Sequence, residues 1–324
     1  MANCNDLFQE YHSKIDLSST KKESLRKSRD SIRNDIKKYF KDTLERKIPR
    51  FYQQGSFAIK TVVNPLSGEY DVDDGVYLQD LPEDKNEWPR AEIVHKWIMD
   101  AVKGRTNEGQ EDKKNCVRVI YKNNYHVDLP IYGTDNGKFY IAKKGVDEWP
   151  ESDPKAFTDW FLNILKNRSE QLRRNIKYLK AWADYKSLEF PSIAITILAA
   201  QYHGDIDGRD DKSTAAFANS MVIHLKNNHS VNKPVAPFEN VLAKLTENQI
   251  DTIIKKLEVF RDDAVKAIEC AEDKIEYASK LWNKHFGDRF PIVEDEKNND
   301  TEKSSRTIHI AQPAKPWSNN ELAY

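Results

Sequence analysis

Gln53-Gln54-Gly55-Ser56 leads toward Tyr70-Asp71-Val72-Asp73-Asp74-Gly75-Val76-Tyr77-Leu78, and the pattern in these residues sets the architecture expected of the whole chain. The first segment reads as a Gly-Ser turn and the second as a strand. Side chains on a strand alternate between faces, so Asp71 and Asp73 project side by side while Val72 and Asp74 point the other way. Two neighbouring carboxylates repel each other, which raises their pKa unless a cation lies between them. Hard oxygen ligands at this pitch suit Mg²⁺, which is commonly held by one or two carboxylates together with substrate phosphates. Gly55 allows close approach of backbone to a phosphate, and Ser56 offers it a hydroxyl and an N–H. Taken alone, an Asp-x-Asp is commonly a solvated strand face and a Gly-Ser an ordinary turn. A phosphate cradle leading into a carboxylate strand is the combination that nucleotidyl transfer requires.

A third carboxylate would complete a two-metal site. The segment Asn124-Tyr125-His126-Val127-Asp128-Leu129-Pro130-Ile131-Tyr132 supplies one on a second strand, with Pro130 near its end. Asp74, on the opposite face, is expected to be structural. His126 shares the face of Asp128 and is expected to be a strand residue with its ring satisfied.

These residues resemble the polymerase-β-like nucleotidyltransferases. Gln-Gly-Ser-Phe, Asp-Val-Asp-Asp-Gly-Val-Tyr-Leu and Tyr-His-Val-Asp-Leu-Pro are similar, more closely, to the bacterial cGAS/DncV-like nucleotidyltransferases, the CD-NTases. The resemblance extends through Tyr178-Leu179-Lys180-Ala181-Trp182 and Pro191-Ser192-Ile193-Ala194-Ile195-Thr196, and covers roughly residues 20 to 290. It implies an α+β fold, in which a mixed-sheet nucleotidyltransferase core packs on a C-terminal helical bundle with the active site in the cleft between them. It also implies synthesis of a cyclic di- or trinucleotide signal from ribonucleoside triphosphates (ATP or GTP foremost) in CBASS anti-phage defence. Asp71, Asp73 and Asp128 would be catalytic and hold Mg²⁺, or Mn²⁺ in its place. Gly55, Ser56, Lys180 and Ser192 would bind the donor triphosphate. By pattern alone, Lys180 reads as a surface lysine and Ser192 as a helix N-cap, which is also a place where anions bind.

Composition bounds the alternatives. The 324 residues carry 51 basic and 52 acidic side chains, a net charge of −1 that gives no overall steering toward nucleic acid. This weighs against an RNA-tailing enzyme of the poly(A) or CCA-adding kind, and no stable nucleic-acid partner is expected. The presence of all three carboxylates weighs against a non-catalytic nucleotide-binding regulator. Cys4, Cys116 and Cys270 form no Cys-x-x-Cys pair and no disulfide framework. The N-terminus lacks a signal-peptide core, and the apolar run from Ile193 to Ala200 falls far short of the ~20 residues that span a bilayer. A cytoplasmic protein without membrane contact is expected.

Along the chain, residues 19–41 read as a basic helix with Thr20 and Glu23 at capping-box spacing. Its lysines and arginines are taken as a solvated face. Glu92 to Val102 reads as a helix with Ile93, Trp97, Ile98 and Ala101 inward. Asp135-Asn136-Gly137 is hairpin chemistry. Asp159 to Tyr185 reads as one helix, Ser192 to Tyr202 as a buried one, and Thr246 and Gln249 open another pattern that reaches about Trp282, with Arg261-Asp262-Asp263 as a candidate break into two. The expected division is a nucleotidyltransferase core over 1–155, a helical domain over 156–292 and a polar tail over 293–324. By family analogy the tail would serve a CBASS accessory protein as a handle.

Overall fold

The computed structural model describes residues 1–294. The tail expected as a partner handle lies, apart from its first two residues, outside the described residues.

The chain opens with α1 (Asn5–Ile15) and α2 (Ser19–Asp42). Ser18 caps α2 by accepting from the Lys21 N–H, so the start signal is Ser18 rather than Thr20. Strand β1 (Arg50–Gln54) runs into the one-turn α3 (Gly55–Ala58), then β2 (Tyr70–Tyr77), α4 (Ala91–Ala101), β3 (Gln110–Asp112), β4 (Val117–Tyr121), β5 (Tyr125–Leu129), β6 (Ile131–Asp135) and β7 (Lys138–Ile141). The strands form a mixed sheet in the order β3-β4-β5-β2-β6-β7, with β1 antiparallel on β2. β3 arises within a stretch whose polarity reads as loop; as a short edge strand it pairs with β4 alone.

Alternation sorts the sheet into two faces. Val72, Val117, Val119, Val127 and Leu129 enter a core shared with Leu25, Ile32, Ile36 and Phe40 of α2 and with Val94 and Ile98 of α4. Ile93 is exposed and His95 is buried in its place, because His95 finds partners in Asp112 and the Ala142 carbonyl. The tight turn between β6 and β7 places Asn136 and Gly137 at positive φ, as a two-residue hairpin requires.

The second half is α5 (Pro154–Leu165), α6 (Gln171–Tyr185), α7 (Ser192–Tyr202), α8 (Asp210–Asn227), α9 (Glu247–Glu269) and α10 (Ile275–Phe286). The single helix expected over 159–185 is two, parted at residues 166–170, where Ser169 bonds Asp205 and turns the chain. The expected capping box of Thr246 and Gln249 is present at the start of α9. These helices share a second core, centred on Trp182, Trp282 and Phe260, and α1 belongs to it through Phe8, Tyr11 and Ile15. Phe8 alone meets four aromatic rings edge-on. The first residues of the chain are therefore built into the helical half, and residue 155 falls inside α5. No helix among the described residues is long and apolar enough to cross a membrane.

Candidate active site

The register of three strands builds the site. β2 and β5 run parallel with Asp71 beside His126 and Asp73 beside Asp128, while Arg118 on antiparallel β4 stands beside Asp128. Asp71, Asp73, His126, Asp128 and Arg118 therefore share one face of the sheet, and the valines between them anchor the other. The Arg118 guanidinium grips both oxygens of Asp128, at 2.8 and 2.9 Å. Asp74, facing the core, is fully buried and held by a two-pronged contact from Arg33 of α2, with Nε 2.7 Å from Oδ2. One of the basic side chains of that helix is thus a structural counter-ion rather than part of a solvated face.

The carboxylates are electrostatically stressed. Burial, followed by repulsion from Asp71 and Asp128, pushes the Asp73 carboxyl up to about 8. Burial also raises Asp71, opposed by the nearby His126 ring. Divalent charge relieves this kind of stress. Asp71, His126 and Asp128 each offer a ligand atom, and the three atoms lie within 4.8 Å of one another. His126 stands where Asp73 was expected, because Asp73 lies against Gly55. Gly55 adopts φ +65°, and a β-carbon there would meet Asp73 Oδ2 at 2.1 Å.

The residues expected at the donor phosphates converge. A cavity of about 350 Å³ is lined by Ser56, Asp71, Asp73, Lys180 and Ser192. A neighbouring one of about 180 Å³ shares Ser56, Lys180 and Ser192 and adds Ile59, Phe157, Ile193 and Val235 as apolar walls. Lys180 is not a surface residue. It is 7% exposed, its ammonium reaches the Thr61 carbonyl and hydroxyl at 3.2 Å each, and burial lowers its pKa to about 8. Ser192 is the first residue of α7, after Pro191 as N-cap, so its place is the first turn rather than the cap. The amide donors of that turn supply positive potential at the cavity. On the other side of Asp73, a cavity of about 690 Å³ is lined by Asp128, Arg118, Lys113, Lys114 and Cys116. Arg209, Asp210 and Asp211 are spent elsewhere: Asp210 takes bonds from Arg174, Gln171 and Tyr178, and Asp211 pairs with Arg209.

Sequence reading missed Arg118 and the state of His126. Cross-strand pairing with Asp128 could have indicated the arginine once the β4–β5 hairpin was drawn. The imidazole is 8% exposed, and its Nε2 has no hydrogen-bond partner, contrary to the satisfied ring expected.

A carboxylate pair on a central strand, a third carboxylate on the parallel neighbour and a Gly-Ser turn ahead of them are the arrangement that the resemblance to polymerase-β-like nucleotidyltransferases leads one to expect. Residues 49–132 match the family model described as cyclic GMP-AMP synthase DncV-like, nucleotidyltransferase domain. A cyclic GMP-AMP synthase of Escherichia albertii is 34% identical over 168 residues, 47% of this chain and 37% of that protein. One from Vibrio cholerae is 25% identical over 299 residues, 74% of this chain and 67% of that protein. A cyclic AMP-AMP-AMP synthase of Acinetobacter is 24% identical, covering 56% of each. The match thus spans well under two thirds of the E. albertii protein's length, and 49% of that of an Escherichia coli relative. Among solved structures, the V. cholerae di-nucleotide cyclase DncV, as a mutant in complex with ATP and GTP, has a TM-score of 0.75 at 18% identity, covering 90% of this chain and 97% of that one. E. coli CdnC with ATP has a TM-score of 0.71 at 17% identity, covering 89% and 98%. The chain is thus similar to the bacterial cGAS/DncV-like nucleotidyltransferases, with the family match confined to residues 49–132.

Proposed function

We propose that this protein makes a cyclic oligonucleotide signal from ribonucleoside triphosphates, as its curated relatives are named for doing. The observation that carries the reading is the meeting of two cavities at Asp73. One is lined by Ser56, Lys180 and Ser192, the other by Asp128, Arg118 and two lysines. Joining two nucleotides needs a donor place and an acceptor place on either side of the reacting phosphorus.

In this reading the core spans residues 1–155 and the helical domain 156–292, with α1 crossing into the latter. Ser56, Lys180 and the first turn of α7 hold the donor's phosphates. Protein catalysis of phosphoryl transfer is largely positioning and charge stabilisation, and these groups supply both. Asp71, Asp73 and Asp128 would hold divalent metal, Mg²⁺ or Mn²⁺. The orphaned His126 nitrogen and the raised carboxyls fit such an ion. When bound, the metal would neutralise phosphate charge and favour ionisation of the attacking hydroxyl. Arg118 fixes the orientation of Asp128, and Gly55 leaves room for Asp73. The apolar walls Ile59, Phe157, Ile193 and Val235 would receive a base and exclude water from it.

By kinship, the product would serve anti-phage defence by switching on an effector. The test is incubation with the four ribonucleoside triphosphates and Mg²⁺ or Mn²⁺, followed by mass spectrometry. A cyclic product that disappears in the Asp71→Ala, Asp73→Ala double variant is expected. Untemplated tails on added RNA, or undiminished product from the double variant, would overturn the reading.

A further inference from the structure

The His126 ring is buried to more than nine-tenths, yet it is not packed as a core histidine. Its Nε2 lies 3.8 Å from Asp71 Oδ2 and 3.8 Å from Asp128 Oδ2. Both distances are too long for a hydrogen bond, and no other group satisfies the atom. On the far side of the ring, Nδ1 lies 3.2 Å from Glu69 Oε1. A carboxylate there favours the proton on Nδ1 and leaves the Nε2 lone pair directed between Asp71 and Asp128. Metal-ligating histidines are commonly oriented in this way, with the second nitrogen facing a carboxylate that fixes tautomer and ring plane. The parallel register that sets Asp71 beside His126 makes the arrangement a property of the backbone.

We infer that His126 Nε2 is a ligand of the divalent-metal site, together with Asp71 and Asp128, and that this nitrogen biases the site toward Mn²⁺ over Mg²⁺. The inference rests on the metal-dependent reading above and adds a nitrogen donor to its carboxylates. Imidazole nitrogen binds first-row transition ions well, whereas Mg²⁺ demands oxygen at near-octahedral geometry. The competing role for the ring is that of a cation balancing Asp71 and Asp128, in which case it would never touch the ion.

The two roles separate in the full-length protein loaded with Mn²⁺ alone. Pulsed electron paramagnetic resonance of the wild type should show the nitrogen modulation of a directly bound imidazole. That signal should vanish in His126→Gln, with folding checked by circular dichroism. Competition binding should show Mn²⁺ affinity falling at least tenfold in the variant and Mg²⁺ affinity falling much less. Glu69→Gln should keep the modulation with weaker binding. A wild-type spectrum of bound Mn²⁺ with oxygen ligands alone would overturn the assignment of His126 and leave the nucleotidyl-transfer reading standing. Failure of the wild type to bind either ion would overturn both.

Discussion

Asp73 lies against Gly55 so closely that a β-carbon on residue 55 would sit 2.1 Å from Asp73 Oδ2, and the backbone of Gly55 is itself at φ +65°. The turn and the carboxylate strand are thus one unit. The glycine is needed for its missing side chain as well as its conformation, and the turn's position sets that of the acid.

Gly55→Ala should therefore impair stability and activity for separable reasons. Left-handed backbone at a non-glycine residue costs about 1–3 kcal/mol, to be read from denaturant melts. Displacing Asp73 by about 1 Å should cost roughly a hundredfold in turnover, the scale of a misplaced reacting group. A variant that melts lower but turns over normally would show that Asp73 does not need its observed position.

Asp73 also gives the metal-free protein a pH signature. Its carboxyl is raised from 3.8 to about 8, so the folded state holds a proton that the unfolded state has lost. That contribution is fully present below 3.8 and is lost as pH rises through about 8. In chelator, the wild type should lose thermal stability across this window relative to Asp73→Asn, which carries no such group. Saturating Mg²⁺ or Mn²⁺ should close the gap for the wild type by stabilising the ionised form. Parallel melting curves for the two proteins in chelator would contradict the environment described for Asp73.

The parts of the candidate site that were legible in the sequence are those written in a period of two. Asp71, Asp73 and Asp128 face one way and Asp74 the other because strands alternate, and no tertiary knowledge is needed to say so. What was not legible depends on which strands become neighbours. The strands of the β4–β5 hairpin can be read from the sequence, but the register that sets Arg118 opposite Asp128 cannot, and His126 meets Asp71 only because β2 runs parallel alongside it. Lys180 shows the same limit in a helix. Its neighbours Leu179, Ala181 and Trp182 are all buried, so α6 is enclosed on nearly every side there, and a lysine in such a place points into a cavity. The placement of α1 was invisible for another reason: its buried residues, Phe8, Tyr11 and Ile15, gain meaning from the aromatic cluster of distant α10.

The Arg33–Asp74 pair should be worth more to the fold than any of the exposed ion pairs. Asp74 is fully buried, so Arg33→Ala leaves a carboxylate without its counter-ion. Removing one partner of a buried pair typically costs about 3–5 kcal/mol. Lys27→Ala on the same helix, whose partner Glu23 is exposed, should cost about 1 kcal/mol or less. Equal losses for the two variants in urea melts would show that Asp74 is not in the dry environment described.

Lys180 offers a direct test of the proposed donor site. Burial lowers its pKa to about 8, so the free protein carries the ammonium below that pH and loses it above. A triphosphate binds the charged form, so its dissociation constant should rise as pH passes about 8 in the wild type. The Asp73 carboxyl titrates in the same range, so the measurement should be equilibrium binding of a nonhydrolysable triphosphate rather than turnover. Lys180→Met keeps the length of the side chain and removes the charge. It should bind roughly tenfold to a hundredfold more weakly below pH 8, on the scale of about 1.5–3 kcal/mol for a hydrogen bond to a charged group. The wild-type and variant curves should then converge above it. Unchanged affinity in Lys180→Met, with the fold intact, would mean that this ammonium serves Thr61 and the joint between the two halves of the protein instead of the phosphates.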